Sequence, residues 1–457
     1  MHKISFHLLA VLLLLTADCL KVQAQTDMPA DDWSANPPAA HVDLPTLIEE
    51  GLRNNFQLRI VRNQERIAEN NATRANAGYL PKVNLNAGYN GSLQSSKSTS
   101  RQEGIVQKEH NSLDHNVNAG VFAEWTVFDG FKIQTNYKRL QELRRLSATQ
   151  TRLALEDYVA DVTAGYYDLI QQNIRLTNLQ HAMGLSKERL RIVEERYFIG
   201  SGSKLAVHQA RVDFNADSAR WLKQHELLRS AEIRLNRLTG QQEVNQPLML
   251  HQQTIGVDSA LAMNELWQST LQSNAQLLKA AQNRTLAELD LKGVKSRDFP
   301  YLKLNADYAY RFSQFGDGPT DRRSTWGPDF GITVGYRIFD GNRNRERHNA
   351  QIGVTDAELA QEDLKLALKA DLADLWQAYQ NNLRLLNLER ENLTTAQENH
   401  QVARERYLLG DLSGIEMRDA QQNLLEAEER ILVAEYHTKL CEISLHQLSG
   451  DIMQLVP

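Results

Sequence analysis

The sequence predicts a mainly α-helical chain that also carries part of a β-barrel: long antiparallel helical hairpins joined to four membrane strands per chain. Three observations predict it. The chain is an internal duplicate, its halves run for long stretches without proline, and each half holds two runs of about ten residues in which apolar and polar side chains alternate.

The duplication is read from ordered pairs. Leu47…Asn55-Phe56-Gln57-Leu58 parallels Leu266…Asn274-Ala275-Gln276-Leu277, and Leu80-Pro81 before Asn86-Ala87-Gly88-Tyr89 parallels Phe299-Pro300 before Asn305-Ala306-Asp307-Tyr308. Val127-Phe128-Asp129-Gly130 then matches Ile338-Phe339-Asp340-Gly341, and Glu195-Arg196-Tyr197 with Gly200 matches Glu405-Arg406-Tyr407 with Gly410. Each half closes on Leu-Thr-Gly or Leu-Ser-Gly, at Gly240 and Gly450. The shift is 219 residues from Leu47 to Leu266, 211 from Phe128 to Phe339 and 210 from Tyr197 to Tyr407. The main slip falls in polar, Ser- or Gly-rich sequence, where a change of loop length costs little.

The elements follow in order. Lys3, the apolar run Leu8 to Leu15 and Val22-Gln23-Ala24 predict a secretory signal over residues 1–24, and the run is too short to span a bilayer. Cys19 raises the alternative of a lipid attachment site, against which the preceding Asp18 stands; cleavage after Ala24 leaves Cys441 alone and excludes an intrachain disulfide. Residues 25–42 are expected to be extended, 43–240 and 261–450 are the two repeats, 241–260 is a linker and 451–457 a tail.

Each repeat is expected to hold a helix, two strands, a very long helix and a shorter one. The Leu-Pro and Phe-Pro steps change the period from helical to two, because proline stops a helix and pushes its neighbour into extended backbone. Strands are predicted at about 83–93, 117–127, 302–312 and 330–338, joined by long polar connections at 91–116 and 314–329. Trp125, Phe128, Tyr310, Phe312, Tyr336 and Phe339 gather near strand ends, as interfacial aromatics do in outer-membrane lipid. Four strands cannot close, and an open edge in lipid leaves backbone groups unpaired, so several chains must contribute.

The chain has ten prolines, none between Pro81 and Pro247 or between Pro328 and Pro457. Helices are therefore expected from about Phe131 to Tyr197 and from Asn342 to Tyr407, each roughly 100 Å long at 1.5 Å per residue. Shorter ones at 204–238 and 260–297 fit end to end along a long one, and Leu140, Leu143, Leu146 and Leu153 form an apolar stripe for helix packing. A net charge of −6 and a pI near 6.1 give no reason to expect nucleic acid as a partner. Carboxylates and histidines, His110 and His115 among them, are scattered, with no metal-spaced cluster, hydrolase elbow or phosphate loop, so no enzyme, cofactor or metal is expected. A periplasmic coiled-coil adaptor or scaffold would share the export signal and the helices, but not the four matched strands.

The duplication, the strand pairs after Leu-Pro, the Arg-Tyr-x-x-Gly turns and the closing Leu-x-x-Leu-(Thr/Ser)-Gly together resemble the TolC-like outer membrane efflux protein family over about residues 40–455. The resemblance implies a homotrimer with a twelve-stranded barrel in the outer membrane and a helical barrel across the periplasm. It implies docking onto a periplasmic membrane fusion (adaptor) protein and an inner-membrane pump of the RND or ABC type, with cargo chosen mostly by the pump.

On that resemblance Gly200 and Gly410 lie in periplasmic tip turns, and Ser203 and Ser413 are candidates for adaptor docking, with plain helix N-capping an equal reading compatible with it. Glu416 and Asp419, six and nine residues after Gly410, stand where the family's best-known member lines its tip with acids; their spacing of three places both on one helix face. Threefold repetition would make stacked acidic rings, and a solvated helix face is the plain alternative. That member's arginine and aspartate of the tip lock are replaced here by Leu412 and Ala206, so its lock is not carried over. Arg406, Asp411, Arg418 and Lys204 are the charges available for a substitute.

Overall fold

The computed structural model describes residues 40–99, 106–252, 254–316 and 320–455. The signal segment, Cys19 and most of the expected extended segment lie outside these. The elements are β1 (Ala40–Val42), α1 (Leu44–Asn54), α2 (Phe56–Asn71), α3 (Arg74–Ala77), β2 (Lys82–Thr99), β3 (Val106–Asp129), α4 (Lys132–Phe198) and α5 (Lys204–Thr239). The second half continues with β4 (Leu248–Leu250), α6 (Met263–Ser273), α7 (Ala275–Lys295), β5 (Tyr301–Gln314), β6 (Arg322–Gly335), α8 (Arg343–Leu409) and α9 (Gly414–Ser449).

Helices α4 and α8 are each 67 residues, as the proline-free stretches predict, and α5 and α9 are each 36. Within each half the long helix returns through its 36-residue partner to make an antiparallel hairpin. The principal core sits midway along α4, where Tyr158, Val159, Val162, Tyr166, Leu169 and Ile170 are buried against Leu47 and Ile48 of α1, Leu235 of α5 and Ile443 of α9. The equivalent core of the second half is smaller and gathers Leu266, Leu372, Tyr379 and Leu445. Strand β1 runs parallel to β4 beside this level, Ala40 opposite Leu248 and Val42 opposite Leu250.

Two expectations are corrected. The predicted helix over 260–297 is broken at Asn274, whose extended backbone (φ −63°, ψ 121°) ends α6 and caps α7. Asn55 makes the same break between α1 and α2. Each asparagine uses both ends of its amide. The oxygen accepts from the new helix, from Leu58 N in one half and from Gln276 N and Leu277 N in the other, while Nδ2 donates to Leu238 O at 2.8 Å or to Leu448 O at 2.9 Å. The Leu-x-x-Leu-(Thr/Ser)-Gly closure therefore docks on the Asn break of its own half. Gly450 stands there at φ 76°, and a Cβ would come within 2.8 Å of the Ser273 carbonyl oxygen. Gly450→Ala should cost about 1–2 kcal/mol for the left-handed backbone alone and more for the clash. A lowered thermal midpoint of the detergent-solubilised protein checks this; an unchanged one would mean that the junction relaxes freely.

The second correction concerns the sheet, whose order is β2-β3-β5-β6, antiparallel throughout. The segments 91–116 and 314–329 are not long loops: β2 and β3 are 18 and 24 residues long and pair as far as Thr99 with Val106, while β5 and β6 are 14 each. Backbone ladders need no apolar side chains, so the strands run on where both faces turn polar. Strand β6 also starts earlier than 330 and ends at Gly335, leaving Tyr336 and Ile338 beyond it. Pro328 lies inside β6, an outer strand of the sheet, where one side has no ladder within the chain to interrupt.

Register sorts the side chains onto two faces. Tyr310, Trp326 and Ala119 lie at one level, and Leu304, Ile332 and Trp125 at another, with Val83, Leu85, Val121 and Phe330 on the same apolar face. The other face carries Asn84, Asn86, Asn118, Asn305, Asp307 and Arg311. An irregularity between Thr126 and Phe128 pairs Phe128 with Leu302, which keeps Phe128 on the face of Trp125. From Leu302 to Phe312, ten steps at about 3.3 Å and a tilt near 40° give an apolar band of about 25 Å, the height of an outer-membrane hydrocarbon zone.

Candidate functional site

The sequence-predicted site residues fall into two places. Trp125, Phe128, Tyr310 and Phe312 lie on the apolar sheet face; Tyr336 and Phe339 follow the end of β6 and are exposed. The Trp125 indole donates to Tyr79 O at 2.9 Å, and Phe128 meets Phe131 edge-to-face, Phe131 in turn meeting Phe299. Trp125, Tyr310 and Tyr336 combine an apolar ring with one polar group, whereas Phe128, Phe312 and Phe339 are wholly apolar.

Gly200, Ser203, Gly410, Ser413, Glu416 and Asp419 gather at the opposite end, where both hairpins turn. Gly200 (φ 79°) and Gly410 (φ 89°) adopt the left-handed conformation that lets the long helices stop. Ser201 N reaches back to Arg196 O and Asp411 N to Arg406 O, both at 2.9 Å, so the two turns are built alike. Ser203 and Ser413 then start the return helices: Ala206 N donates to Ser203 Oγ and Glu416 N to Ser413 Oγ, each at 3.2 Å. N-capping is thus a fact of both serines.

Glu416 completes a capping box. Its carboxylate accepts from Ser413 N at 3.0 Å and from Ser413 Oγ at 2.7 Å. The Ser413 hydroxyl and backbone hydrogen bonds, with the charge of Arg406, hold its carboxyl below the usual glutamate range. The capping contribution is therefore present at neutral pH and lost as the pH falls through that lowered value. Asp419, one turn on, is exposed and takes no part in the cap.

Above the turns lies a set of contacts that sequence reasoning missed. Asp217 of α5, 2% exposed, accepts from both Arg418 nitrogens at 2.6 and 2.9 Å and from the Ser186 hydroxyl of α4. Burial alone would raise its pKa, but the hydrogen bonds from Arg418 and Ser186 and the charges of Arg418 and Arg220 outweigh that and hold it below the ordinary aspartate value. Arg189 of α4 pairs with Asp213 of α5 and donates to Gly414 O of α9 at 3.3 Å. Arg196 donates to Tyr407 O at 3.0 Å and lies 5.0 Å from the centre of the Tyr407 ring. Of the four charges open to a substitute lock, Arg418 makes an ion pair with the first hairpin, whereas Arg406 acts by its charge on Glu416. Leu412 instead packs with Ile192 against Tyr407, Met417, Ala403 and Ala420. The signal available beforehand was a polar stripe at helical spacing, Ser186, Arg189 and Arg196 on one helix with Asp213 and Asp217 on the next.

Between the hairpins these residues leave a groove of about 660 Å³, lined by Arg189, Val193, Ala206, Ala210, Tyr407, Ser413 and Arg418 among others. Both apolar and polar groups line it. No helix among the described residues is long and apolar enough to cross a membrane.

A sheet with one apolar face and, among the described residues, both edges open, carried on paired hairpins about 100 Å long, is the arrangement of a chain suited to share in an outer-membrane duct. The chain belongs to the outer membrane efflux protein family, which it matches over residues 47–241 and 266–451. It is similar to the outer membrane protein TolC of Vibrio cholerae, with 22% identity over 426 residues covering 90% of this chain and 91% of that one. The cation efflux system protein CusC of Escherichia coli is 21% identical over 418 residues, 89% of this chain and 86% of CusC. The crystal structure of the CmeC outer membrane channel of Campylobacter jejuni superposes with a TM-score of 0.73 at 15% identity, covering 90% of this chain and 86% of that one. The protein is thus a transport conduit of the outer membrane with a large periplasmic helical part, not an enzyme.

Proposed function

We propose that three copies form one continuous duct, with twelve strands closing the outer-membrane barrel and the hairpins forming a helical barrel across the periplasm. The single observation that carries this reading is the open four-stranded sheet with one apolar face. Among the described residues neither β2 nor β6 has a second neighbour, and lipid offers no partner for their free backbone groups, so copies pair edge to edge. Three such sheets make a barrel well inside the known range of strand numbers.

In this duct the tip groove receives the helical end of a periplasmic membrane fusion protein, with the Gly200–Ser203 and Gly410–Ser413 turns at its rim. An inner-membrane pump of the RND or ABC type supplies both the energy and the choice among drugs, metal ions and proteins. Asp419, free of the cap, and Glu416 ring the narrow end and attract cations, and Arg418 with Asp217 holds the two hairpins of a protomer together in the closed tip.

The test is recording from the detergent-extracted protein in a planar bilayer, with its mass measured by light scattering. A trimer giving discrete, cation-preferring conductance steps is the expected result. A protein that stays soluble without detergent and never conducts would instead favour the coiled-coil scaffold.

A further inference from the structure

We infer that the β-barrel is itself a second cation-preferring stage, set by a belt of Asp307, Arg311 and Asp329 on its inner face; this rests on the trimeric-barrel reading above. Asp307 and Asp329 stand directly opposite each other in the β5–β6 ladder. Two like charges at such a position oppose pairing unless a cation answers them. Arg311 does so, reaching back to Asp307 and across to Asp329, both at 2.9 Å.

Room for this arrangement is made by small residues. Gly120, Ala309 and Gly327 are in register across three strands, between the carboxylates and the arginine. A Cβ on Gly120 would lie 2.5 Å from that of Ala309, and Ala309 is 1% exposed. The Arg311 side chain therefore lies along the wall instead of projecting across the lumen, and the pore stays wide at this level.

One guanidinium against two carboxylates leaves one negative charge in excess per protomer. Asp307 is largely covered (15% exposed), whereas Asp329 is 64% exposed and presents the excess to the water of the pore. Three protomers place three such charges at one height. Lys82 and Glu124 stand opposite each other on the same face two residues nearer the helices and offset one another, and the next charge, Lys303, lies four residues from Asp307, roughly 10 Å away along a tilted strand. That exceeds the Debye length of about 8 Å at physiological salt, so the belt acts as a separate level.

The experiment measures the K⁺/Cl⁻ permeability ratio of the full-length channel in a bilayer, in a background of Glu416→Ala with Asp419→Ala so that acids at the tip do not mask the barrel. Asp329→Asn should lower the ratio about twofold and Arg311→Gln should raise it, both effects growing as salt is lowered. A merely structural role would move both variants the same way or not at all, and either result overturns the proposal. Should Arg311→Gln fail to assemble, Asp307→Asn with Asp329→Asn leaves one positive charge per protomer and is expected to turn the preference toward anions; an unchanged ratio there overturns it equally. No conductance from the parent channel would remove the duct reading, and the belt with it.

Discussion

Asp217→Asn is expected to convert the closed tip into one that opens readily. The substitution keeps the shape of the side chain but leaves Arg418 without its counter-charge at a site where the aspartate is 2% and the arginine side chain 17% exposed. Removing one member of such a buried pair typically costs about 3–5 kcal/mol. If that cost falls on the closed arrangement alone, the balance of open to closed tips moves by about two to four orders of magnitude. Larger single-channel steps and longer openings would report it. Exchanging the charges, Asp217→Arg with Arg418→Asp, should return the channel toward its parent behaviour, because the pair is re-made across the same two helices. A folded trimer whose conductance does not change would reduce the contact to an ordinary structural pair. Since the Asp217 carboxyl is held below the ordinary aspartate value of 3.8, the tie is fully present above that pH and is lost only as the pH falls through the lowered value. Conductance should therefore stay flat between neutral pH and about pH 5.

The second large effect is expected from Glu416→Ala combined with Asp419→Ala. With both acids gone the tip should lose most of its cation preference while the trimer still assembles, because neither carboxylate takes part in the buried ties between hairpins. The single variants should differ. Asp419 is exposed and uncommitted, whereas Glu416 is folded back onto the Ser413 hydroxyl and amide. Asp419→Ala should thus change selectivity at little cost in stability, and Glu416→Ala should chiefly loosen the first turn of α9. Reversal potentials in a salt gradient, set beside thermal melts of the same samples, separate the two. Unchanged selectivity in the double variant would discard the acidic ring and leave the duct itself untouched.

What was legible beforehand follows from the range over which each signal acts. The 67-residue helices were visible because helix formation is local and proline absence is a local fact. The Leu80-Pro81 and Phe299-Pro300 steps marked the change to strands for the same reason. The breaks at Asn55 and Asn274 were harder: both asparagines stood out as a repeated pair, but only the Leu238 and Leu448 carbonyls, far along the chain, show why a break is tolerated there. The outer parts of β2 and β3 carry a loop-like sequence, since residues such as Ser92 and Asn116 show no apolar alternation, although ladder hydrogen bonding continues through them. Arg418 could be named as one of four free charges. Its partner Asp217 could not, since two hundred residues separate them and only the packing of one hairpin on the other brings them together.

The two unpaired margins of the sheet also bear on how the protein reaches its place. A lone protomer has nowhere to put the free backbone groups of β2 and β6 in hydrocarbon, so it has no stable membrane-inserted form of its own. Insertion and association are then a single event, and its rate should climb steeply with the amount of newly exported chain. On the trimeric reading proposed above, a shortage of protomers is expected to leave unassembled chains and not a leaking half-pore.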